Sequence, residues 1–285
     1  MSSVSVVIPC YNYGHFLPEV VSSVLDNQPG VDVRVLIVDD ASPDGSGDVA
    51  KKIAADDPRV EAQVHAANKG APVTYNEGIL DWADGDYVVL LSADDMLTPG
   101  ALSRAVKFLD AHQNVGFVYG HPLHFRQGQP LPVARTTVRG STVWPGHWWL
   151  EKRFRDGKSV ITCPEVVVRT SVQKQAGGYN TSLHHSMDTE MWLRLATYAD
   201  VGYLRGVDQA YYRLHGNNMS MSRPLLVDVQ ERKLAYDAAL EQCGDRLPDR
   251  AELSDAVHRS LSRGRCGQLP GRTTGGERSR RRLMS

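Results

Sequence analysis

The sequence predicts an α/β fold with a mostly parallel, Rossmann-like sheet and helices on both faces. Three apolar runs rich in β-branched residues, Ser3–Pro9, Val31–Val38 and Tyr87–Leu91, have the length of buried strands. Segments with helical spacing, Phe16–Leu25 and Pro72–Trp82, lie between these runs. Apolar strands that alternate with helices indicate a sheet that is covered on both sides. In such sheets, ligands bind at the carboxyl ends of the strands.

The rest of the chain is less regular than its first part. Thr98 and Pro99 are typical of a helix start, and they predict a helix that runs to about His112. The segment Leu123–His147 is rich in Pro, Gly and aromatic residues and predicts loops, with short strands as the alternative. Further strands are predicted at Val60–Val64, Val115–Tyr119, Val160–Arg169, Val201–Leu204 and Ala210–Leu214. Further helices are predicted before Ala55 and at Asp188–Tyr198, Val227–Gln242 and Ala251–Leu261.

The composition is that of a globular protein with one large domain and an appendage. The chain has 285 residues, of which 41% are hydrophobic and 23% are charged. No apolar stretch reaches the roughly 20 residues of a membrane span, and the N-terminus does not resemble a signal peptide. The four cysteines form no CxxC pair and predict free thiols. These features favour a cytoplasmic location, with peripheral attachment to a membrane as the alternative.

The net charge of −1 is distributed unevenly along the chain. Seven Arg and a single Glu after residue 262 give that tail a charge of +6, which leaves about −7 for the rest. The acidic body disfavours nucleic-acid binding, and the composition of the tail predicts disorder. We expect a domain at residues 1–222, a helical extension at 223–262 and a basic tail at 263–285. The extension is either a dimer contact or a helical cap, and the oligomeric state is open.

Pairs of acidic residues follow two of the predicted strands. Asp39 and Asp40 end the second strand, and Asp94 and Asp95 come shortly after the third. A divalent cation that holds an anionic diphosphate would explain the second pair. The alternative is turn and cap chemistry, in which Asp is also common. Turn formation accounts well for the following Asp44, but it does not require two acids before it.

Five segments, taken in order, resemble the inverting GT-A glycosyltransferases of family 2. They are Val6–Asn12, Ile37–Ser46, Leu91–Asp95, Gly177–Arg194 and Tyr212–His215. The resemblance covers about three quarters of the chain and implies a GT-A fold followed by the helical extension. It also implies an enzyme that takes a sugar from a nucleotide-diphospho-sugar linked to UDP, dTDP or GDP. The acceptor would be a hydroxyl or amine of a small molecule, a lipid-linked sugar or a glycan.

The resemblance also implies roles for individual residues. It makes Asp188 the general base, Asp95 a metal ligand and His215 a ligand of the metal or of the diphosphate. The implied cofactor is Mg²⁺ or Mn²⁺. The implied contacts to the donor are Pro9, Tyr11, Asn12, Asp39, Asp40, Lys69, Asn76, Asp94 and His215.

Simpler explanations exist for several of these residues. Tyr11 offers a face on which a nucleobase can stack, or it packs beneath the next helix. Asp188 begins a predicted helix, where Asp is an ordinary cap. His215 is either a ligand or a loop histidine beside Gly216.

Two positions depart from the pattern of the family. Tyr75 stands where the family often has Arg, so Lys69 is the candidate for the missing phosphate or sugar contact. Met187 stands where the family usually has Glu, and Glu190 is the candidate for a partial replacement. The segment Val143–Trp149 carries three tryptophans, which either stack on an acceptor or pack the second half of the chain onto the sheet.

Two other functions compete with glycosyl transfer. A sugar nucleotidyltransferase usually has a basic, Gly-rich loop after its first strand, and Pro9–Gly14 contains no Lys or Arg. A catalytically degenerate module that only binds a nucleotide sugar would have lost the base or the metal acids. Asp94, Asp95 and Asp188 are all present, which favours an active enzyme.

Overall fold

The computed structural model describes residues 1–216, 218, 224–247 and 249–262. The strands in these ranges are β1 (Ser3–Cys10), β2 (Asp32–Asp39), β3 (Val60–Val64), β4 (Tyr87–Leu90), β5 (Met96–Leu97), β6 (Val115–Arg126), β7 (Gly140–Trp144), β8 (Val166–Arg169) and β9 (Asp200–Leu214). The α-helices are α1 (Leu17–Leu25), α2 (Ser46–Asp56), α3 (Ala71–Asn76), α4 (Ala101–Ala111), α5 (Gly146–Asp156), α6 (Thr170–Ala176), α7 (Met187–Leu195), α8 (Leu225–Gln242) and α9 (Arg250–Ser262). A π-helical turn, Glu77–Trp82, continues α3.

All of these strands belong to one sheet. Their order is β3-β2-β1-β4-β8-β6-β9-β5, with β7 paired to β9. The pairs among β3, β2, β1 and β4 are parallel and form the Rossmann-like half. Strand β8 runs antiparallel to both of its neighbours, β4 and β6, whereas β6 and β9 are parallel. The predicted α/β class and the parallel core of the sheet are therefore confirmed, and the far half of the sheet is mixed.

Helices cover the sheet on both faces, as the apolar strands predict. Val6 and Ile8 of β1 belong to one apolar cluster, which also includes Leu17 of α1. Val7, between them, belongs to a second cluster with Trp149 of α5. Successive side chains of a strand point to opposite faces, so a strand between two helical layers must be apolar throughout.

Several elements in the middle of the chain differ from the prediction. The two short strands expected between residues 201 and 214 are one continuous strand, β9, which pairs with β6 and β7. Gly206 has a φ of 78°, which suits a break, but the pairing on both sides carries the strand through it. Strand β6 extends beyond Tyr119 to Arg126, and β8 begins only at Val166. The predicted loop at Leu123–His147 contains β7 and the first residues of α5.

The helical extension packs against the rest of the chain. Tyr236 of α8 is fully buried, and its ring meets that of Phe154 in α5 at 5.1 Å. Its hydroxyl donates a 3.0 Å hydrogen bond to the carbonyl of Arg153. The predicted boundary at residue 222 and the tail at 263–285 lie outside the described residues. Among the described helices, none has the length and apolar character that crossing a bilayer requires.

Candidate active site

A cavity of about 770 Å³ opens at the carboxyl ends of the parallel strands, where the sequence predicts the site. Its volume is in the range that encloses a small-molecule ligand. The predicted site residues that line it are Pro9, Tyr11, Asn12, Asp40, Asp94, Asp95 and Asp188. Of the other predicted residues, His215 contacts a lining side chain, and Asp39, Lys69 and Asn76 lie behind the wall.

Asp40 is held by a buried network that follows β2. Its Oδ1 accepts hydrogen bonds from the Lys69 N–H at 2.7 Å and from His65 Nδ1 at 2.8 Å, and its Oδ2 accepts one from the Gly70 N–H at 2.9 Å. The other ring nitrogen of His65 lies 2.7 Å from Glu77 Oε2. Burial alone would raise the pKa of Asp40, but these donors outweigh it and hold the pKa below its ordinary value. Asp40 is thus a fixed, ionised group at the cavity wall.

The segment after β1 faces the same part of the cavity. Tyr11 is 47% exposed and lines the cavity, so it does not pack beneath the next helix. Asn12 has a φ of 65°, and its N–H donates a 2.9 Å hydrogen bond to the Ser42 hydroxyl. Asn12 Oδ1 and the buried Asp39 Oδ1 have no hydrogen-bond partner in the described part of the chain. Two unmatched acceptors therefore lie near this wall.

Asp94 and Asp95 lie on the cavity floor and are tied to the end of β9. The Arg213 N–H donates to Asp95 Oδ1 at 2.9 Å, and the Arg213 Nε donates to the Asp94 carbonyl at 2.7 Å. His215 Nε2 is 3.0 Å from Asp94 Oδ2. Burial and the negative charge of Asp94 raise the pKa of Asp95 well above its ordinary value, although the Arg213 N–H acts in the opposite direction. The two carboxylates are thus crowded together in a site that favours a bound cation.

The Arg213 side chain packs against two aromatic rings and forms an ion pair near the surface. Its guanidinium lies 4.4 Å from the ring centre of Phe16 and 4.8 Å from that of Phe125. Its Nη2 donates to Glu19 at 2.7 Å. Arg213 therefore holds the acidic pair from behind and does not line the cavity.

Asp188, the predicted base, also lines the cavity and lies in the first turn of α7. Burial raises the pKa of Asp188 from 3.8 to about 7, although hydrogen bonds with Cys163 and Tyr179 lower it in part. Its Oδ1 has no hydrogen-bond partner among the described residues. A carboxylate with an unmatched oxygen and a pKa near neutrality can accept a proton from a bound hydroxyl.

Cys163 is a contact of Asp188 that the sequence did not single out. It is buried, with a φ of 120°, which is a strained conformation for a residue with a side chain. The loop that holds it is closed by Glu165, whose Oε1 accepts a 2.7 Å hydrogen bond from the Thr162 N–H. Burial raises the pKa of the Cys163 thiol well above its ordinary value, and the charge of Asp188 adds to this effect. The thiol is therefore a neutral neighbour of Asp188.

Two predicted donor contacts bond to protein groups behind the cavity wall. The side-chain amide of Asn76 donates to the Tyr179 carbonyl at 2.9 Å and accepts from the Tyr179 N–H at 2.6 Å. The Lys69 ammonium lies 2.7 Å from Glu77 Oε1. Asn76 therefore joins α3 to the loop before α7, and Lys69 reaches the site through its backbone N–H. Their contacts with a donor stay predictions.

Glu190 does not replace the acid that the family usually has before Asp188. It is fully buried, and both of its oxygens accept 2.8 Å hydrogen bonds from Arg194. Arg194 also donates to the Gly178 carbonyl at 2.7 Å. This pair anchors α7, and Glu190, fully buried and absent from the cavity lining, does not face a ligand there.

The three tryptophans of the Val143–Trp149 segment do not line the main cavity. Trp149 is buried and packs edge-on against Phe117 at 5.9 Å. Trp148 is 45% exposed and stacks on Trp144 with ring centres 6.4 Å apart. Packing explains Trp149, and contact with an acceptor stays a prediction for the other two.

The main cavity is strongly acidic. Its described lining includes Asp40, Asp94, Asp95 and Asp188 and no Lys or Arg. No group of three or more His, Cys, Asp or Glu side chains in the described ranges is arranged to hold a metal ion by itself. Mg²⁺ is commonly bound by one or two carboxylates together with the phosphates of a substrate. The Asp94–Asp95 pair fits an ion of that kind.

The fold and the acid-lined cavity have the arrangement expected from the resemblance to GT-A glycosyltransferases. The sequence model of glycosyl transferase family 2 matches residues 5–172, more than half of the chain. The chain is also 32% identical over 264 residues to an uncharacterized glycosyltransferase of Nostoc sp., covering 86% of this chain and 74% of that protein. The protein belongs to glycosyl transferase family 2.

Some of the relatives are much longer than this chain. A chondroitin synthase of Pasteurella multocida is 26% identical over 237 residues, which is 80% of this chain but 22% of the synthase. The chain thus spans about a fifth of that relative.

Solved structures share the fold at low sequence identity. The structure of residues 1–349 of S. aureus TarS with UDP-GlcNAc has a TM-score of 0.68 and 18% identity, and the match covers 92% of this chain and 72% of that one. The mannosyltransferase PcManGT of Pyrobaculum calidifontis, solved with GDP-Man and Mn²⁺, has a TM-score of 0.60 and 17% identity, covering 94% and 76%.

Proposed function

We propose that the protein is an inverting, metal-dependent glycosyltransferase that uses a nucleotide-diphospho-sugar, with Asp188 as the general base. Asp188 and the Asp94–Asp95 pair converge on one cavity from distant parts of the sequence, and this convergence supports the proposal. Inversion needs one base on the side of the sugar opposite the leaving group. Asp188 would act on that side, and the Asp94–Asp95 pair would face the leaving group.

The wall formed by the ends of β1 and β2 is the proposed nucleotide side. Tyr11 supplies an exposed ring for stacking on the base. A carboxylate has about four lone-pair positions, and the contacts to His65, Lys69 and Gly70 use three of those on Asp40. The remaining position can accept a hydrogen bond from a base N–H or a ribose hydroxyl. The donors of the two structural neighbours make UDP- and GDP-sugars the first candidates, with dTDP-sugars third.

Asp95, together with His215, is the proposed holder of Mg²⁺ or Mn²⁺. The ion would offset the charge that collects on the diphosphate as the sugar leaves. Asp94, held by His215 at 3.0 Å, would orient the sugar. The described lining contains no Lys or Arg, so such a cation would supply positive charge beside the diphosphate.

Asp188 takes the proton of the acceptor. Its unmatched Oδ1 would accept a hydrogen bond from the attacking hydroxyl or amine, and Cys163 and Tyr179 fix the direction of the carboxylate. With a pKa of about 7, Asp188 loses its proton as the pH rises through neutrality. The rate should therefore increase between about pH 6 and pH 8 and then level off. The acceptor is a small molecule, a lipid-linked sugar or a glycan.

Donor binding and turnover test the proposal separately. UDP-GlcNAc, GDP-mannose and dTDP-glucose are titrated by calorimetry with MnCl₂ and with EDTA, and nucleotide release is followed as turnover. We expect one donor to bind only when the metal is present. Asp95→Asn should bind that donor no more tightly with MnCl₂ than with EDTA. Asp188→Asn should keep donor binding and lose about 10²–10⁴ in rate. Asp81→Asn, which removes an exposed carboxylate, is the matched control.

Two results would contradict the proposal. If Asp188→Asn turned over at the wild-type rate, Asp188 would not be the general base. If the donor bound as tightly with EDTA as with MnCl₂, donor binding would not depend on a metal ion.

A further inference from the structure

A second, smaller cavity adjoins the main one and shares Ile161 with it. We call it the side cavity; Arg153, Lys158, Thr189 and Trp192 are among the residues that line it. Its volume is about 10 Å³, which is room for roughly one water molecule or one oxygen atom of a larger ligand. Thr189 directly follows Asp188 in α7, so the side cavity lies on the side of the base.

Two buried N–H groups of the side-cavity residues have no acceptor in the described part of the chain. Trp192 is 4% exposed, and its Nε1–H is unpaired. The Nε–H of Arg153 is also unpaired, and its guanidinium lies 5.5 Å from the ring centre of Trp149. Leaving a buried donor unpaired costs about 1–3 kcal/mol. Because both residues line the side cavity, an acceptor bound there is the candidate partner for these donors.

The charge of the side cavity specifies what kind of acceptor is missing. The charged residues in its described lining are Arg153 and Lys158, and no carboxylate lines it. Asp156 lies 3.4 Å from Arg153 Nη2, but this long contact leaves the Nε–H unused. An oxygen that carries negative charge would satisfy both donors.

We propose that the side cavity binds an oxyanion of the acceptor, either a carboxylate or a phosphate. One oxygen would enter the cavity between Trp192 and Arg153, and Lys158 would balance the charge at the rim. Because Ile161 joins the two cavities, the sugar that bears the oxyanion would place a hydroxyl near Asp188. This assignment deepens the proposed glycosyl transfer and rests on it.

The test uses small probes and needs neither a donor nor turnover. The five tryptophans give five indole N–H signals in a ¹⁵N NMR spectrum, and Trp192→Phe identifies one of them. The protein is titrated with sodium glucuronate, glucose 6-phosphate and glucose at constant ionic strength. We expect the Trp192 signal to move with one of the two anions, which identifies the oxyanion, and to be insensitive to glucose.

Variants show whether the two donors recognise the charge. Trp192→Phe and Arg153→Gln should each weaken binding of the active anion, measured by calorimetry, about tenfold or more, since each removes one bond to a charged group. Arg155→Gln removes an exposed charge of the same helix, paired with Glu151 and Glu252, and should leave binding unchanged. Thermal melting of each variant establishes that it is folded.

A Trp192 signal that is insensitive to both anions, or that responds equally to glucose, would overturn the assignment. The assignment would also be overturned if Arg155→Gln weakened anion binding as much as Arg153→Gln does. Loss of turnover in Asp188→Asn tests the transferase mechanism alone, so the two proposals fail by different measurements.

Discussion

Replacing Asp188 with Asn should stabilise the folded protein in a strongly pH-dependent way. Burial holds the pKa of this carboxyl at about 7 instead of 3.8, so the folded state binds the proton more tightly than the unfolded chain does. The stability that comes with the proton is complete below about pH 4 and is lost as the pH rises to about 7. The Asn variant has no such loss.

The size of this effect follows from the pKa. One pKa unit corresponds to about 1.4 kcal/mol, so ionising Asp188 costs the folded state roughly 4 kcal/mol above pH 7. At pH 5 Asp188 is still protonated in the folded state but mostly ionised in the unfolded chain. The folded state has then lost only about 1.5–2 kcal/mol of stability. Asp188→Asn should therefore gain about 2–3 kcal/mol of relative stability between pH 5 and pH 8. These figures are upper values, because the carboxylate is partly open to the cavity.

Urea unfolding measures the effect directly. The wild type, Asp188→Asn and the exposed control Asp81→Asn are unfolded at pH 5 and pH 8 without donor or metal, and free energies are compared. The control should change stability by less than about 0.5 kcal/mol at either pH. An equal effect of Asp188→Asn at both pH values would refute the raised pKa and, with it, the expected pH dependence of turnover.

Three further substitutions test how the site is held. Glu190→Ala should cost about 3–5 kcal/mol in urea unfolding, because it leaves Arg194 charged and buried without its partner. Gly78→Ala should cost about 1–3 kcal/mol in thermal unfolding, because the added Cβ would lie 2.2 Å from Val7 Cγ1. His65→Ala should weaken binding of the nucleotide sugar about tenfold in calorimetry, because it releases the carboxylate at the nucleotide wall.

Each of these substitutions has a control or a contradicting result. Glu151→Ala removes the exposed partner of Arg155 and should cost under about 1 kcal/mol. The double variant Val7→Ala/Gly78→Ala should regain part of the stability that Gly78→Ala loses, because the smaller side chain at position 7 makes room for the added methyl group. Unchanged donor affinity in His65→Ala would show that the network behind Asp40 does not position it.

The sequence predicted the parts of the site that occur as contiguous motifs. Asp94 and Asp95 follow a strand that is apolar throughout, and the strand type alone places them at the ligand-binding edge of a parallel sheet. Asp188 was predicted from resemblance and lies on the same cavity. Its environment, in contrast, depends on Cys163 and Tyr179, which come from separate loops and which no local pattern marks.

The parts that were missed depend on pairings between distant segments. His65 follows a short strand, and the pairing of β3 with β2 brings it to Asp40. Glu77 begins a helical turn and is linked to Asp40 through His65. Nothing in the run Val166–Arg169 shows that β8 runs antiparallel between two other strands. Glu190 was a candidate for the site from its position beside Asp188. In the structure it forms a buried ion pair with Arg194 and has a structural role.

The acidity of the main cavity has a kinetic consequence for the proposed donor. A nucleotide diphosphate without a metal ion approaches the ionised Asp40 and the acidic Asp94–Asp95 pair, with no Lys or Arg in the described lining, so their field repels it. The same nucleotide with a divalent ion bound has lost most of that charge and enters more freely. Dissolved salt screens such fields within about 8 Å at physiological ionic strength. Association of the metal-free nucleotide should therefore speed up with salt, and the order in which ion and nucleotide arrive becomes part of how the enzyme selects its donor.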